Sequence, residues 1–134
     1  MPIQWKAIQR KNPQNATAVP KYYAQDVTRD VWDTDDLAQQ VAVRSGMSEG
    51  DLLNVLRTLA DVIAEALSDG DSVRINRVGV LSASLHSDGG AATPDELRRI
   101  RKEVGVNFRA APELRTALEN AGDQFTGDVT TLTP

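Results

Sequence analysis

The sequence predicts an α+β domain, because two helical segments are followed by strands in which apolar and polar residues alternate. Residues 33–68 carry apolar side chains at the spacing of amphipathic helices. Strand alternation then begins at Val73 and Ile75, and residues 81–85 and 104–108 repeat it. With 134 residues, the chain is long enough for one modest globular domain.

The amino-acid composition excludes several classes of function. Cysteine is absent, which excludes disulfides, thiolate zinc sites and a cysteine nucleophile. The single histidine argues against a histidine-based relay, so we expect neither an enzyme nor a cofactor or metal site. No apolar run approaches the roughly 18 residues of a membrane span, and residues 1–6 lack the apolar core of a signal peptide. These features predict a cytoplasmic protein with no membrane contact and no small-molecule substrate.

Two short strands are expected ahead of the helices, over residues 3–10 and 21–27. Residues 12–20 between them form a loop, as their proline and asparagine content indicates. At the other end of the chain, residues 120–134 are small and polar and are expected to be disordered.

The two long helices have recognisable boundaries. The first begins near Asp33 and Thr34, whose side chains can cap free backbone amides, and it ends at Gly46. The second begins at Ser48 and continues through residues 52–67 with an apolar surface wider than one core face requires. A helix that is apolar nearly all round must be buried on several sides, and a small monomer offers few. This pattern indicates an oligomer.

Two shorter helices are expected later in the chain. Residues 87–92 form a flexible turn after the second of the three strands, and Thr93 and Pro94 then carry the signals of a short helix start. Residues 112–118 predict a short closing helix after the third strand.

Basic and acidic residues are segregated along the chain. The formal net charge is −4, yet residues 1–25 carry four basic residues and no acidic one. Residues 26–71 carry eleven acidic residues against three basic ones, whereas residues 72–115 carry eight basic against five acidic. Such segregation is expected of a protein that contacts a polyanion on one side. Ordinary scatter of charge on a solvated surface is the alternative.

The densest basic group is Arg98, Arg99, Arg101 and Lys102, which lie within five positions beside a predicted hairpin. Cations along a hairpin can neutralise DNA phosphates without reading the bases. The alternative is a solvated hairpin face whose cations have neighbouring carboxylates such as Glu103 as partners.

Three segments together resemble the bacterial histone-like HU and integration-host-factor family. Residues 34–48, TDDLAQQVAVRSGMS, resemble the first helix, turn and second cap of that family. Residues 71–81 are similar to the strand of that family that leads into a Gly-aromatic-Gly turn. Residues 108–115, FRAAPELR, are similar to its closing segment, Phe-Lys-Pro-Gly-Lys-x-Leu-Lys. The resemblance covers about residues 34–119.

The chain also departs from that family pattern. Residues 77–79, RVG, keep only the second glycine of the turn, and residues 110–111 are Ala-Ala where the family has Pro-Gly. The long arm with its Arg-Asn-Pro tip is replaced by the short link 88–93, so sharp kinking by intercalating prolines is not expected. Residues 5–13, WKAIQRKNP, are similar to the opening strand of a divergent HU-like branch.

The resemblance implies an IHF-like DNA-binding fold: a helical base plus a three-stranded antiparallel β-sheet with a shortened arm, in an intertwined homodimer. It divides the chain into an N-terminal β extension (residues 1–30), an HU-like domain (31–119) and the disordered tail (120–134). The function it implies is architectural, largely sequence-nonspecific binding of double-stranded DNA in the nucleoid. The residues expected to contact DNA are Arg74, Arg77, Arg98, Arg99, Arg101, Lys102, Arg109 and Arg115, with Lys6, Arg10 and Lys11 as candidate additional contacts.

A different class of function stays open. The chain is acidic overall and lacks the long arm, so an HU-like protein-interaction module that has lost strong DNA binding is the alternative. Such a module would offer its N-terminal strands as an edge to a partner. Steeply salt-dependent DNA affinity distinguishes the two functions.

Overall fold

The computed structural model describes residues 2–132. The chain divides into two compact units, one built from Met1–Val31 together with Thr116–Pro134, the other from Trp32–Arg115. In chain order, the strands and helices of the described residues are β1 (Ile3–Arg10), β2 (Lys21–Val27), α1 (Thr34–Ser45), α2 (Glu49–Ser68), β3 (Val73–Ile75), β4 (Gly79–Ser87), α3 (Pro94–Arg99), β5 (Lys102–Ala110), α4 (Pro112–Ala121) and β6 (Asp123–Thr130).

Side-chain caps fix the starts of α1 and α2, and a glycine ends α1. The Asp33 carboxylate accepts a hydrogen bond from the Asp36 amide at 2.9 Å, and the Asp36 carboxylate accepts one from the Asp33 amide at 3.0 Å. Gly46 ends α1 in the left-handed conformation at φ 74°, which glycine adopts without steric cost. The Ser48 hydroxyl then accepts from the Asp51 amide at the start of α2. The predicted boundaries of both helices are confirmed.

Strands β3, β4 and β5 form an antiparallel sheet in that order, as the alternating pattern predicts. Pairing places Leu81 opposite Phe108, Ala83 opposite Val106 and Leu85 opposite Val104. Because successive side chains point to opposite sides of a strand, these six residues share one side, which we call the apolar face. The residues between them make up the other side, the polar face. The short helix α3 lies in the connection between β4 and β5, where the sequence predicts a shortened arm.

Gly79 is required where β4 passes β5. It is buried, and a Cβ at this position would lie 2.6 Å from the Phe108 ring and closer still to the Arg109 carbonyl oxygen. Arg77, two residues earlier in the turn, has φ 71°. A non-glycine residue in this region is uncommon, so the turn holds backbone strain at an exposed arginine. Ala111 donates its amide to the Val78 carbonyl at 2.8 Å, which ties the turn to the end of β5.

The hydrophobic core of the single chain is very small. Among the apolar side chains of residues 2–132, only Ala38 and Leu52 are buried. On the apolar face, Val104 is 72% exposed, Val106 62% and Phe108 53%. Burial of apolar surface is the main favourable term in folding, so a chain that buries this little of it lacks the stabilisation that a lone domain needs.

The chain ends form a second sheet in the order β2-β1-β6. β1 and β2 are antiparallel, as the strand–loop–strand prediction requires, whereas β6 runs parallel to β1. The prediction that residues 120–134 are disordered is therefore wrong for Asp123–Thr130, which form β6, and residues 133–134 lie outside the described residues. The Phe125 ring stacks on Trp5 at a centroid distance of 4.6 Å, and the Trp5 indole N–H donates to the Asp123 carboxylate at 2.8 Å. These contacts and the backbone pairing order a segment of polar composition.

Candidate nucleic-acid interface

Two arginines stand in one row across the polar face. Arg74 on β3 pairs with Val80 on β4, and Val80 pairs with Arg109 on β5. Further along the hairpin, the same face carries Ser82 opposite Asn107. Arg74 and Arg109 are exposed, and all four polar residues line an open cleft of about 700 Å³. This part of the face therefore combines two guanidinium groups with neutral hydrogen-bonding groups, while Glu103 adds one carboxylate toward the hairpin end.

A third arginine, Arg77, is in the β3–β4 turn. Arg77 lines an adjoining cleft of about 410 Å³ together with Arg74 and Arg109, and Glu113 at the start of α4 contributes one carboxylate. Guanidinium groups present several N–H donors in a planar fork that matches phosphate oxygens. We call Arg74, Arg77 and Arg109 the sheet cluster.

The remaining cations of the hairpin form a separate group at its far end, the tip cluster, which consists of Arg98, Arg99, Arg101 and Lys102. Arg109 is seven positions after Lys102 on β5, which at about 3.3 Å per residue is roughly 23 Å. Arg98 lies 3.8 Å from Asp95, and both side chains are more than four-fifths exposed. An exposed ion pair contributes little free energy, so Arg98 can leave Asp95 for a phosphate at small cost.

Lys102 is engaged differently from its neighbours. Its ammonium group donates to the Leu97 carbonyl at 3.0 Å and to the Ile100 carbonyl at 3.2 Å. These carbonyls lie at the C-terminal end of α3, where a cation is favoured by the helix dipole. The structure thus gives Lys102 a local structural role, and its predicted contact with DNA stays a prediction.

The other predicted contacts belong to other elements of the chain. Arg115 is in the first turn of α4 and is exposed. Lys6 and Arg10 are on β1, and Lys11 follows that strand, so all three belong to the unit formed by the chain ends.

The sequence does not single out Ser82 and Asn107 as candidate DNA contacts. Both are neutral, so a search for basic residues passes over them. Their position beside the sheet cluster follows only from the register that pairs Ser82 with Asn107. The sequence signal that could identify them is the alternation of apolar and polar residues along the two strands, which assigns them to the side opposite Leu81 and Phe108.

Residues 2–132 contain no group of three or more His, Asp or Glu side chains that could hold a metal ion. None of their helices combines the length and the apolar character that a membrane crossing requires.

A family model matches this chain, and solved structures resemble it, two of which are described below. The model of the HU-HIG family, described as an HU domain fused to a wHTH, Ig or glycine-rich motif, matches residues 1–126. No curated protein matches the chain.

The first solved structure is that of a provisionally named bacterial DNA-binding protein from Bacteroides vulgatus ATCC 8482. It is 18% identical to this chain with a TM-score of 0.63, and the match covers 98% of this chain but only 50% of that protein. The second is HU from Anabaena in a cocrystal with DNA, 19% identical with a TM-score of 0.52, over 65% of this chain and 97% of that protein. At these identities the likeness concerns the fold, and it confirms the predicted HU-like fold.

Proposed function

This chain belongs to the HU-HIG family, and from that premise we propose that it is an architectural, largely sequence-nonspecific protein that binds double-stranded DNA in the nucleoid. The observation that carries the proposal is the sheet cluster. Its three arginines line one cleft, and two of them lie on the polar face of a sheet whose other face is apolar. Contacts from guanidinium groups to phosphates fix a protein on the duplex but carry no sequence information.

Two of the similar structures support this proposal. Anabaena HU, which has the same fold, is bound to DNA in its crystal. The Bacteroides vulgatus protein is named for DNA binding, and this chain spans half of its length.

We further propose that the working unit is an intertwined homodimer. Along α2, Val55, Leu59 and Val62 form an exposed stripe at helical spacing. A groove of about 520 Å³ between α2 and the apolar face is lined almost entirely by apolar side chains, Ile63 and Val106 among them. Contiguous apolar surface of this kind marks an interface. A second copy supplies the same stripe and the same face, as a two-fold interface requires.

The short hairpin limits how the DNA is deformed. The connection between β4 and β5 holds α3, which begins at Pro94 with a Thr93 cap, and Pro94 therefore starts a helix. Minor-groove proteins that kink DNA sharply insert apolar wedges between base steps. We expect smooth, modest bending by phosphate contacts on both sides of the dimer.

The test is the affinity for a labelled duplex of arbitrary sequence, measured by fluorescence anisotropy between about 50 and about 200 mM salt. The logarithm of the affinity is expected to fall linearly with the logarithm of the salt concentration. Changing all four residues of the tip cluster to Ala lowers the slope by about 0.9 for each side chain that contacts a phosphate. A wild-type protein that does not bind the duplex at about 50 mM salt would falsify the proposal.

The edge of the second sheet favours one other candidate function, the protein-interaction module. β2 is an outer strand of its sheet, and six of its seven residues are exposed. An exposed edge can accept a strand from a partner. This function predicts duplex binding that is weak at physiological salt and unaffected by the tip-cluster substitutions.

A further inference from the structure

The outer part of the chain-end sheet carries a cleft that the duplex-binding proposal does not use. It lies where β1 and β2 are joined by residues 11–20 and has a volume of about 480 Å³. Three cations, Arg10, Lys11 and Lys21, line it together with the ring of Tyr23. We propose that this cleft binds single-stranded nucleic acid, with an unpaired base stacked on Tyr23 and the adjacent phosphates held by the cations.

The charge of the cleft favours an anion. Arg10 and Lys21 are directly opposite each other in the β1–β2 pairing, an arrangement that destabilises a sheet when nothing compensates it. In the described part of the chain, none of the three cations forms an ion pair. The first acidic residue along the chain is Asp26, at the far end of β2. A bound phosphate would remove the repulsion that the sheet otherwise carries.

Tyr23 supplies the surface on which a base can stack. The register places it opposite Ile8, on the same side as Arg10 and Lys21, while Lys6 follows on that side toward the start of β1. Tyr23 is 51% exposed, so its ring is accessible. Alternation of cations with an aromatic ring along one surface is the pattern of proteins that bind single strands. In a duplex the bases are stacked on each other, and this ring could not reach a base face.

The other aromatic rings of this sheet have different surroundings. Trp5 and Phe125 stack on each other, so each ring already has a partner. Tyr22 is on the opposite side of β2, across from Gln9, and does not line the cleft. It is 53% exposed, nearly the same as Tyr23, which makes it a matched control.

The loop that walls the cleft is held by its own hydrogen bonds. The Asn12 side-chain oxygen accepts from the Gln14 amide at 2.9 Å, and that of Asn15 accepts from the Thr17 amide and hydroxyl at 3.2 and 2.8 Å. A wall that is ordered before the ligand arrives reduces the entropy that binding must overcome.

The experiment measures affinity of the full chain for a labelled oligo-dT strand and for a duplex of equal length. To separate this site from the sheet cluster, all variants are made in a background that carries Arg74→Gln and Arg109→Gln. Tyr23→Ala is expected to weaken oligo-dT binding by a factor of about 5 to 150, the range for one stacked base. Tyr23→Phe is expected to retain the affinity, and Tyr22→Ala to leave it unchanged.

A second variant tests the cations without touching the ring. Arg10→Gln with Lys21→Gln is expected to lower the salt slope for oligo-dT by about 1.4, at about 0.7 for each phosphate of a single strand. The proposal is overturned if Tyr23→Ala and Tyr22→Ala give equal oligo-dT affinities, or if duplex binding falls as much as oligo-dT binding. Either result leaves the duplex-binding proposal intact, because that proposal rests on the sheet cluster and is tested by wild-type duplex affinity. Far-UV circular dichroism of each variant confirms that the sheet is retained.

Discussion

The two faces of the β3-β4-β5 sheet are built from the same three strands but present opposite chemistry. The apolar face carries Phe108, Val106 and Val104 in a row, all more than half exposed in the single chain. The polar face carries Arg74 and Arg109, followed toward the hairpin end by Ser82 opposite Asn107 and by His86 opposite Glu103.

The difference between the faces shows what each requires. Exposure of apolar side chains to water is unfavourable, and their burial against a protein surface lowers the free energy. Exposed guanidinium groups are well solvated and gain from releasing the counterions of a polyanion. A strand period of two lets one short sheet satisfy both requirements, so we expect a second copy on one face and DNA on the other.

The largest effect is expected from a substitution that introduces a charge on the apolar face. Val106→Asp places a carboxylate where a second copy is proposed to pack, and burying an unpaired charge costs several kcal/mol. We expect the dissociation constant of the dimer to rise by a factor of about 100 or more, as measured by sedimentation equilibrium. Ser84→Asp adds the same charge to the polar face of the same hairpin and should leave the dimer intact. Equal dimerisation of the two variants would contradict a role of this face in assembly.

The next largest effect is expected from a substitution at Gly79, where β4 passes close to β5. In Gly79→Ala the new methyl group meets the Phe108 ring and the Arg109 backbone, so strands β4 and β5 must shift. We expect a loss of about 1–3 kcal/mol in the free energy of unfolding, measured with urea at fixed protein concentration. Gly90→Ala is the control, because a Cβ there has no neighbour within 4 Å. A cost at Gly79 no greater than at Gly90 would show that the close approach does not constrain this position.

A smaller effect is expected when the polar face loses charge. Arg74→Gln with Arg109→Gln should lower the salt slope of duplex binding by roughly one unit for each guanidinium that contacts a phosphate. Stability should change little, because both side chains are exposed. The matched control is Arg44→Gln with Arg57→Gln, which removes the same charge from α1 and α2. If the control lowers the slope as much, net charge and not the polar face governs DNA binding.

The smallest effect concerns Lys102. Because its ammonium group donates to the carbonyls of Leu97 and Ile100 at the C-terminal end of α3, Lys102→Gln should cost about 0.5–1.5 kcal/mol of stability and leave the salt slope unchanged. Arg101→Gln, one residue earlier, should lower the slope by about one unit if that side chain contacts a phosphate. An equal fall in the salt slope for both variants would show that Lys102 contacts DNA and would contradict a purely structural role.

Local signals explain which parts of this molecule could be predicted. The capping side chains Asp33 and Ser48 and the alternation in residues 81–85 act within a few residues, so the sequence indicates them directly. The order of β6 depends on pairing with β1, and Trp5 is 118 residues from Asp123. No local sequence pattern indicates a partner so far along the chain. The polar composition of this segment therefore predicts disorder, although the segment forms a strand.

In the candidate site, too, local features are predictable from the sequence and long-range ones are not. Basic residues near the hairpin are visible in the sequence, but their grouping into a sheet cluster and a tip cluster follows from strand register. The capping role of Lys102 depends on how the chain folds back after α3, and the different positions of Tyr22 and Tyr23 depend on the pairing of β2 with β1.

The most direct test of the two-face account is an NMR titration of the ¹⁵N-labelled protein with duplex DNA. The amide signals expected to shift are those of the polar face, Arg74, Ser82, Asn107 and Arg109, while those of Val104 and Val106 should stay in place. Shifts confined to Lys21–Val27, or shifts centred on the apolar face, would contradict the assignment of DNA to the polar face.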